Sequence, residues 1–443
     1  MTSDPAPAGP PHELVIEPVR GPLDAVVRPP GSKSLTNRAL VCAALADGPT
    51  LLEGALFADD TEAMLSCLHE MGTGLRTDRA APSIGVVGGD GAPPADGALL
   101  DARLSGTTSR FVLPVAALGR GTFVVDGAAP LRARPMSDLF EALVELGTEL
   151  EPLGEPGHLP VRIEAAGLRG GEVRVRGDVS SQFLSGLLLS APCMRRGLRV
   201  QVTTELVSVP YVEMTLAVMS SFGARHHTDV DPHGRRTITV EPGGYDGVAR
   251  YPIEPDASAA SYFFAAAAIC GGTVRVEGLT TSSLQGDVGF VDALEQMGAR
   301  VERGADHIAV TGGGQLQGVD VDFTDLSDTA QTLAVVAPFA ATPTTITGIG
   351  FIRGKETDRI AAVVTELRRC GIRAEELPDG IRVHPGTPSP ATVATYDDHR
   401  MAMSFALLGL RSPGITIADP GCVAKTFPRY WEALEDLRRT GTT

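Results

Sequence analysis

The sequence predicts an α/β fold of two lobes, each made of three copies of one helix-and-strand unit. Three observations carry this reading: a block of fixed length recurs, a helix-ending glycine recurs, and very apolar helices are followed by strands. Block 32–54 runs polar start, apolar helix, short turn, strand and Gly, over 23 residues. Blocks 105–127 and 256–278 share that length and layout, and block 327–348 is one residue shorter. Weaker copies begin at Ser180 and Asp397. The glycine marker lies in Met71-Gly72, Leu146-Gly147, Phe222-Gly223, Met297-Gly298 and Cys370-Gly371, at intervals of 75, 76, 75 and 73 residues. Gly after the last helical residue is the usual left-handed cap.

In chain order, residues 1–11 are rich in Pro, Ala and Gly and read as a disordered tail. A strand over 13–19 and a partner strand over 25–28 follow, and both are expected to pair back into the second lobe. Helical spacing is clear in Ala39, Leu40, Ala43, Ala44 and Leu45. Apolar helices over 39–45, 110–118, 183–190, 262–269, 332–340 and 401–408 should be buried all round. Strands of alternating character include 171–176 and 236–240. The longer closing helices carry a charged face, as in 359–369. The sixth unit ends in a helix over 430–437. The crossover between lobes falls near Glu254. The N-terminal lobe is then 32–254, and the C-terminal lobe is 12–31 plus 255–443.

Bulk composition narrows the function. A net charge of -16 argues against nucleic-acid or anionic-membrane partners, which need an excess of Lys and Arg. It leaves room for a small anionic substrate in a local basic pocket. The six cysteines form no C-x-x-C pair, which fits a reduced cytoplasmic protein. No zinc spacing is present and no metal is expected. Apolar runs are too short for a membrane span. The P-loop spacing fails at Gly31-Ser32-Lys33-Ser34 and at Gly354-Lys355, and no G-x-G-x-x-G is present. Nucleotide and dinucleotide cofactors are therefore not expected.

The basic residues point to the chemistry. Only three of 38 are lysines: Lys33, Lys355 and Lys425. Arg is a permanently charged fork, whereas Lys is a point charge that can release a proton. Lysines kept against such a bias mark places where Arg cannot serve. The repeat starts carry Ser32-Lys33, Gly106-Thr107, Ser180-Ser181-Gln182, Asp256, Asp328 and Asp398-His399-Arg400. Helix N-termini offer free N–H groups and partial positive charge, and suit anions. Asp256 reads as an ordinary N-cap, whereas Ser180-Ser181-Gln182 exceeds what a cap needs. A second set lies before the closing helices: 132–135, 208–211, 285–287, 355–359 and Lys425. These starts are expected to line an electropositive cleft between the lobes.

Five motifs together resemble a known family. They are Pro30-Gly31-Ser32-Lys33-Ser34 with Thr36-Asn37-Arg38; 132–135; Asp178-Val179-Ser180-Ser181-Gln182; Lys355-Glu356-Thr357-Asp358-Arg359; and Asp397-Asp398-His399-Arg400-Met401-Ala402-Met403. The chain is similar over about 14–437 to the EPSP synthase (3-phosphoshikimate 1-carboxyvinyltransferase) family of enolpyruvyl transferases. The resemblance implies a two-lobed inside-out α/β barrel of six βαβαββ units, three per lobe, with the active site in the interlobe cleft. It implies transfer of the enolpyruvyl group of phosphoenolpyruvate to the 5-hydroxyl of shikimate 3-phosphate, on the route to chorismate, by a cytoplasmic monomer without metal or organic cofactor.

By position, the resemblance assigns Ser32, Lys33, Arg38, Ser180, Ser181, Gln182, Ser208, Tyr211, Asp328 and Lys355 to shikimate 3-phosphate. It assigns Lys33, Gly106, Arg134, Gln182, Arg359, Arg400 and Lys425 to phosphoenolpyruvate. Asp328 and Glu356, with Lys33, are the proton-transfer groups, supported by His399. The chain departs from the family pattern at Leu104-Ser105 and Phe111, which the resemblance places beside the phosphoenolpyruvate pocket, and at Phe351, which it places at a shikimate 3-phosphate contact. Rival readings are the sister transferase acting on UDP-N-acetylglucosamine, a paralogue for another alcohol, and a binding protein on the same fold. The absence of Cys between Cys67 and Cys193 speaks against the first.

Overall fold

The computed structural model describes residues 12–441; the tail expected over 1–11 lies outside them. The chain separates into two compact units. One holds Pro29–Ala257 with Thr281–Gly286; the other takes the described residues up to Arg28, Ser258–Thr280 and the chain from Asp287 on.

One sheet topology recurs through both units. In the second repeat, Gly97–Asp101 lies parallel to Arg120–Asp126, which pairs antiparallel with Val161–Ala166, itself antiparallel to Glu149–Pro152. Helix Gly106–Leu118 joins the first two strands, and helix Ser137–Glu145 leads into the outer hairpin. The order along the chain is therefore βαβαββ. The third repeat has the same arrangement with Gly171–Val175, Leu198–Val202, Arg236–Val240 and His226–Val230.

The first and fourth repeats borrow their opening strand from elsewhere in the sequence. Tyr251–Pro252 lies parallel to Pro49–Glu53 in the first repeat. Leu23–Val27 lies parallel to Gly272–Glu277 in the fourth. The fifth repeat is built from Asp320–Asp322, Thr344–Thr347, Gly380–Val383 and Ala374–Leu377. In the sixth, Ala391–Val393 is parallel to Ile415–Ala418, and Glu13–Val15 takes the antiparallel third place. The strands expected over 13–19 and 25–28 thus do not pair with each other. They complete two different sheets, each covering a strand edge that would otherwise expose its N–H and C=O groups.

The apolar helix starts are buried as their composition requires, with Phe339 half-buried. The closing helices end where the glycine marker stands. Met71, Leu146, Phe222, Met297 and Cys370 are the C-cap residues. The five glycines after them have φ of 88°, 105°, 84°, 105° and 77°. A side chain there would cost free energy that Gly does not.

Candidate active site

In the unit Pro29–Ala257, the helix Lys33–Leu45 begins at Ser32, whose hydroxyl accepts from Leu35 N. Asp256 Oδ2 accepts from Lys33 N at 3.2 Å, so this acid serves the first repeat's helix start as well as opening the fourth repeat. Lys33 Nζ lies 3.2 Å from Asp60 Oδ2, a nearly buried carboxylate at the start of helix Asp59–Glu70. The same residue's carbonyl accepts from Thr108 Oγ1 at 3.0 Å, which ties it to the second repeat's buried helix.

One turn further on, Arg38 is 2% exposed. Its guanidinium donates to Thr215 Oγ1 (2.8 Å), Ser34 O (3.0 Å), Ser185 Oγ (3.3 Å) and Tyr211 O (3.2 Å). The rings of Phe111 and Tyr211 lie 5.3 and 5.9 Å from it. Among the described residues no carboxylate pairs with it. Desolvation dominates, and burial brings its pKa down to about 10. Ser208, in the left-handed region at φ 54°, opens the turn that presents Tyr211 O, its own carbonyl accepting from Tyr211 N at 3.1 Å.

A third group surrounds Gly106, the first residue of the helix Gly106–Leu118. A Cβ there would stand 2.7 Å from Arg134 Nη1 and 2.9 Å from Arg110 Nη1. Two guanidiniums therefore converge on a helix N-terminus, and only Gly leaves them that space. Arg110 donates to Gln182 Oε1 at 2.5 Å and lies over the Phe183 ring, while Gln182 Nε2 donates to Thr107 Oγ1 at 3.2 Å. Ser180 caps the helix of Ser181 and Gln182 by accepting from Gln182 N.

In the other unit, Arg359 is the centre of an ion network. It donates to Asp398 Oδ2 (2.7 Å), Glu356 Oε2 (2.9 Å) and Asp328 Oδ1 (3.1 Å). Arg400 Nη2 donates to Asp328 Oδ2 at 2.7 Å, and Lys425 Nζ to Glu356 Oε1 at 2.9 Å. Burial opposes the charge on Arg359, but Asp398, Glu356 and Asp328 outweigh it and hold the guanidinium above its ordinary range. Asp398 also caps helix His399–Arg411 by accepting from Arg400 N. His399 is buried beside it, Nδ1 lying 3.7 Å from Asp398 Oδ1. The Lys355 ammonium lies over the Phe351 ring, 5.9 Å from its centroid.

The expected site residues are thus gathered into four groups. Asp60, Arg110, Ser185, Thr215 and Asp398 were not singled out from the sequence as site residues, yet they hold Lys33, Gln182, Arg38 and Arg359. Asp398 stands inside a quoted motif, next to His399, where its N-cap role masks its second one. Asp60 follows another acid at a helix start and reads there as ordinary dipole compensation.

The chain as a whole has known relatives. The family model for EPSP synthase (3-phosphoshikimate 1-carboxyvinyltransferase) matches residues 19–434. The chain belongs to the EPSP synthase family. A 3-phosphoshikimate 1-carboxyvinyltransferase of Nostoc punctiforme is 46% identical over 410 residues, covering 93% of this chain and 95% of the relative. One of Sulfurovum sp. is 42% identical, covering 96% and 99%. An EPSP synthase from Acinetobacter baumannii superposes with a TM-score of 0.80 at 26% identity, covering 96% of this chain and 98% of that one. The enolpyruvyl transferase NikO from Streptomyces tendae shares the fold, with a TM-score of 0.73 at 20% identity. As an EPSP synthase family member the chain is a transferase of mixed α/β architecture. Among the described residues no helix is long and apolar enough to cross a membrane.

Proposed function

We propose that this chain transfers the enolpyruvyl group of phosphoenolpyruvate to the 5-hydroxyl of shikimate 3-phosphate and releases phosphate. The observation that carries the reading is Arg38. A buried guanidinium whose partners are all neutral is costly in the free protein and calls for an anion. The acceptor brings a carboxylate and a phosphate. Arg38, Ser32, Lys33, Ser180, Ser181, Gln182, Ser208, Tyr211, Asp328 and Lys355 hold it. Lys33, Gly106, Arg134, Gln182, Arg359, Arg400 and Lys425 hold phosphoenolpyruvate, where Arg gives carboxylate and phosphate a two-pronged grip.

The reaction is an addition followed by an elimination. C3 of phosphoenolpyruvate takes a proton while the 5-hydroxyl oxygen attacks C2 and loses its own. The tetrahedral intermediate then gives up a C3 proton and expels phosphate, restoring the double bond. Asp328 and Glu356 are the proton-transfer groups, with Lys33 a further one and His399, next to Asp398, supporting them. In the free protein these acids share Arg359, Arg400 and Lys425. An arriving anion competes for the same cations and releases the carboxylates to accept a proton. Lys33 and Lys425 follow the charge as it moves onto the leaving phosphate.

All six cysteines are free, which fits a reducing cytoplasm. The proposed state is a monomer, as the family resemblance implies. Phosphate release from phosphoenolpyruvate with shikimate 3-phosphate as acceptor tests the whole. No turnover there, with turnover on a different alcohol, would sink it.

A further inference from the structure

The helix Arg359–Arg369 grips one neighbouring segment twice. Arg359 and Glu366 are seven residues apart, which puts them on one face of a helix turning 3.6 residues at a time. Arg359 holds Asp398. Glu366 accepts from Ala394 N at 3.0 Å and from the Tyr396 hydroxyl at 2.7 Å. Between the two grips, Tyr396 and Asp397 stand at φ 55° and 54°. Two consecutive side-chain-bearing residues in the left-handed region are unfavourable, and persist where their surroundings over-determine them.

Glu366 is itself unexpected. Its side chain is 0% exposed, and its cationic neighbour Arg369 is half exposed. A buried carboxylate is a poor space-filler unless its bonds are needed. What they secure is the residue that follows the strained pair. Asp398 N donates to Thr395 O at 2.9 Å, and its carboxylate both holds Arg359 and accepts from Arg400 N at 2.9 Å. Slack in 394–397 would therefore shift Asp398, and with it both guanidiniums.

We propose that Glu366 is a positioning residue, which clamps the Tyr396–Asp397 turn and so aims Asp398, Arg359 and Arg400 at phosphoenolpyruvate. This rests on the assignment of Arg359 and Arg400 to phosphoenolpyruvate made above. Neither Glu366 nor Tyr396 touches the substrate; both act through Asp398.

The test is steady-state kinetics of the full chain with three variants: Glu366→Gln, Tyr396→Phe and both together. Tyr396→Phe deletes a single hydroxyl on a side chain that is 40% exposed, so its folding is not at issue. Each single variant is expected to raise KM for phosphoenolpyruvate about 5- to 20-fold and leave KM for shikimate 3-phosphate within about 2-fold. Because both weaken the same clamp, the double variant is expected to be no worse than the poorer single one. Equal rises in both KM values, or a fall in kcat alone, would mark a merely structural role and overturn the inference. If Glu366→Gln does not fold, Tyr396→Phe decides alone. Arg359→Lys separates the two layers. If it leaves KM for phosphoenolpyruvate unchanged, the assignment itself is wrong. If it raises that KM and Tyr396→Phe does not, only the positioning role fails.

Discussion

Arg359 Nε donates to Asp398 Oδ2 across 2.7 Å, with the two side chains 2% and 0% exposed. A pair so buried is expensive to assemble and more expensive to break, since the survivor keeps its charge away from water. Asp398→Asn keeps the shape and an oxygen for Arg400 N, but removes the counter-charge. Its expected effect is a loss of about 3 kcal/mol in unfolding free energy, read by urea denaturation. KM for phosphoenolpyruvate should rise at least about tenfold in parallel. A stability loss under about 1 kcal/mol would show that Glu356 and Asp328 suffice to hold Arg359.

Arg38 presents the opposite case, a buried cation among neutral partners. A guanidinium pKa lowered to about 10 means that folding disfavours the charged form, by about 3 kcal/mol relative to the solvated chain. Arg38→Met removes that penalty. It also leaves Ser34 O and Tyr211 O without a donor, at about 1 kcal/mol each. The free variant should therefore unfold within about 1 kcal/mol of the parent. Shikimate 3-phosphate should raise the Tm of the parent and leave that of the variant unchanged. A large destabilisation of the free variant, with ligand binding retained, would make Arg38 a structural residue.

How much of this was legible in the sequence depends on whether a residue's role is local. Gly72, Gly147, Gly223, Gly298 and Gly371 mark helix ends because a left-handed φ excludes side chains at that one position, so their spacing exposed the repeat. The buried helices were legible because an apolar surface on all sides has one destination. The borrowed strands were legible unevenly: a return of the strand over 25–28 to the later repeats was expected, whereas the place of Tyr251-Pro252 was not. Nothing in Tyr251-Pro252 says that it pairs with Leu52-Glu53, some 200 residues earlier. The network around Arg359 was legible at Glu356 and Arg400 through family motifs, at Asp328 through the repeat start, and at Lys425 through the scarcity of lysine. Glu366 was hidden, because three residues before Arg369 it reads as an ordinary exposed helix pair. Asp60 was hidden for the same reason, since only tertiary structure carries it to Lys33.

That Lys33–Asp60 pair separates charge from proton transfer. Lys33→Arg preserves the positive charge and can still reach a carboxylate 3.2 Å from the native ammonium. It cannot release a proton near neutral pH. The expected result is a fall in kcat of about 100-fold or more, with unfolding free energy unchanged within about 1 kcal/mol. Single-turnover phosphate release measures it. Near-normal turnover would reduce Lys33 to a binding charge.

Gly106 tests how tightly the pocket's cations are packed. The methyl group of Gly106→Ala would sit 2.7 Å from Arg134 Nη1 and 2.9 Å from Arg110 Nη1. Both atoms are the ends of flexible side chains, so the clash is relieved by moving guanidiniums rather than backbone. Ala is also the better helix former, by about 1 kcal/mol in a helix interior and less at the first position. The variant should therefore melt within a few degrees of the parent while its phosphoenolpyruvate grip is spoiled. KM for phosphoenolpyruvate should rise about tenfold or more, and KM for shikimate 3-phosphate should stay within about 2-fold. Moving Arg110 also disturbs Gln182, which is proposed to hold both substrates, so a modest fall in kcat is expected as well. An unchanged KM for phosphoenolpyruvate would mean that Arg134 and Arg110 can withdraw without cost, and that neither guanidinium fixes that substrate.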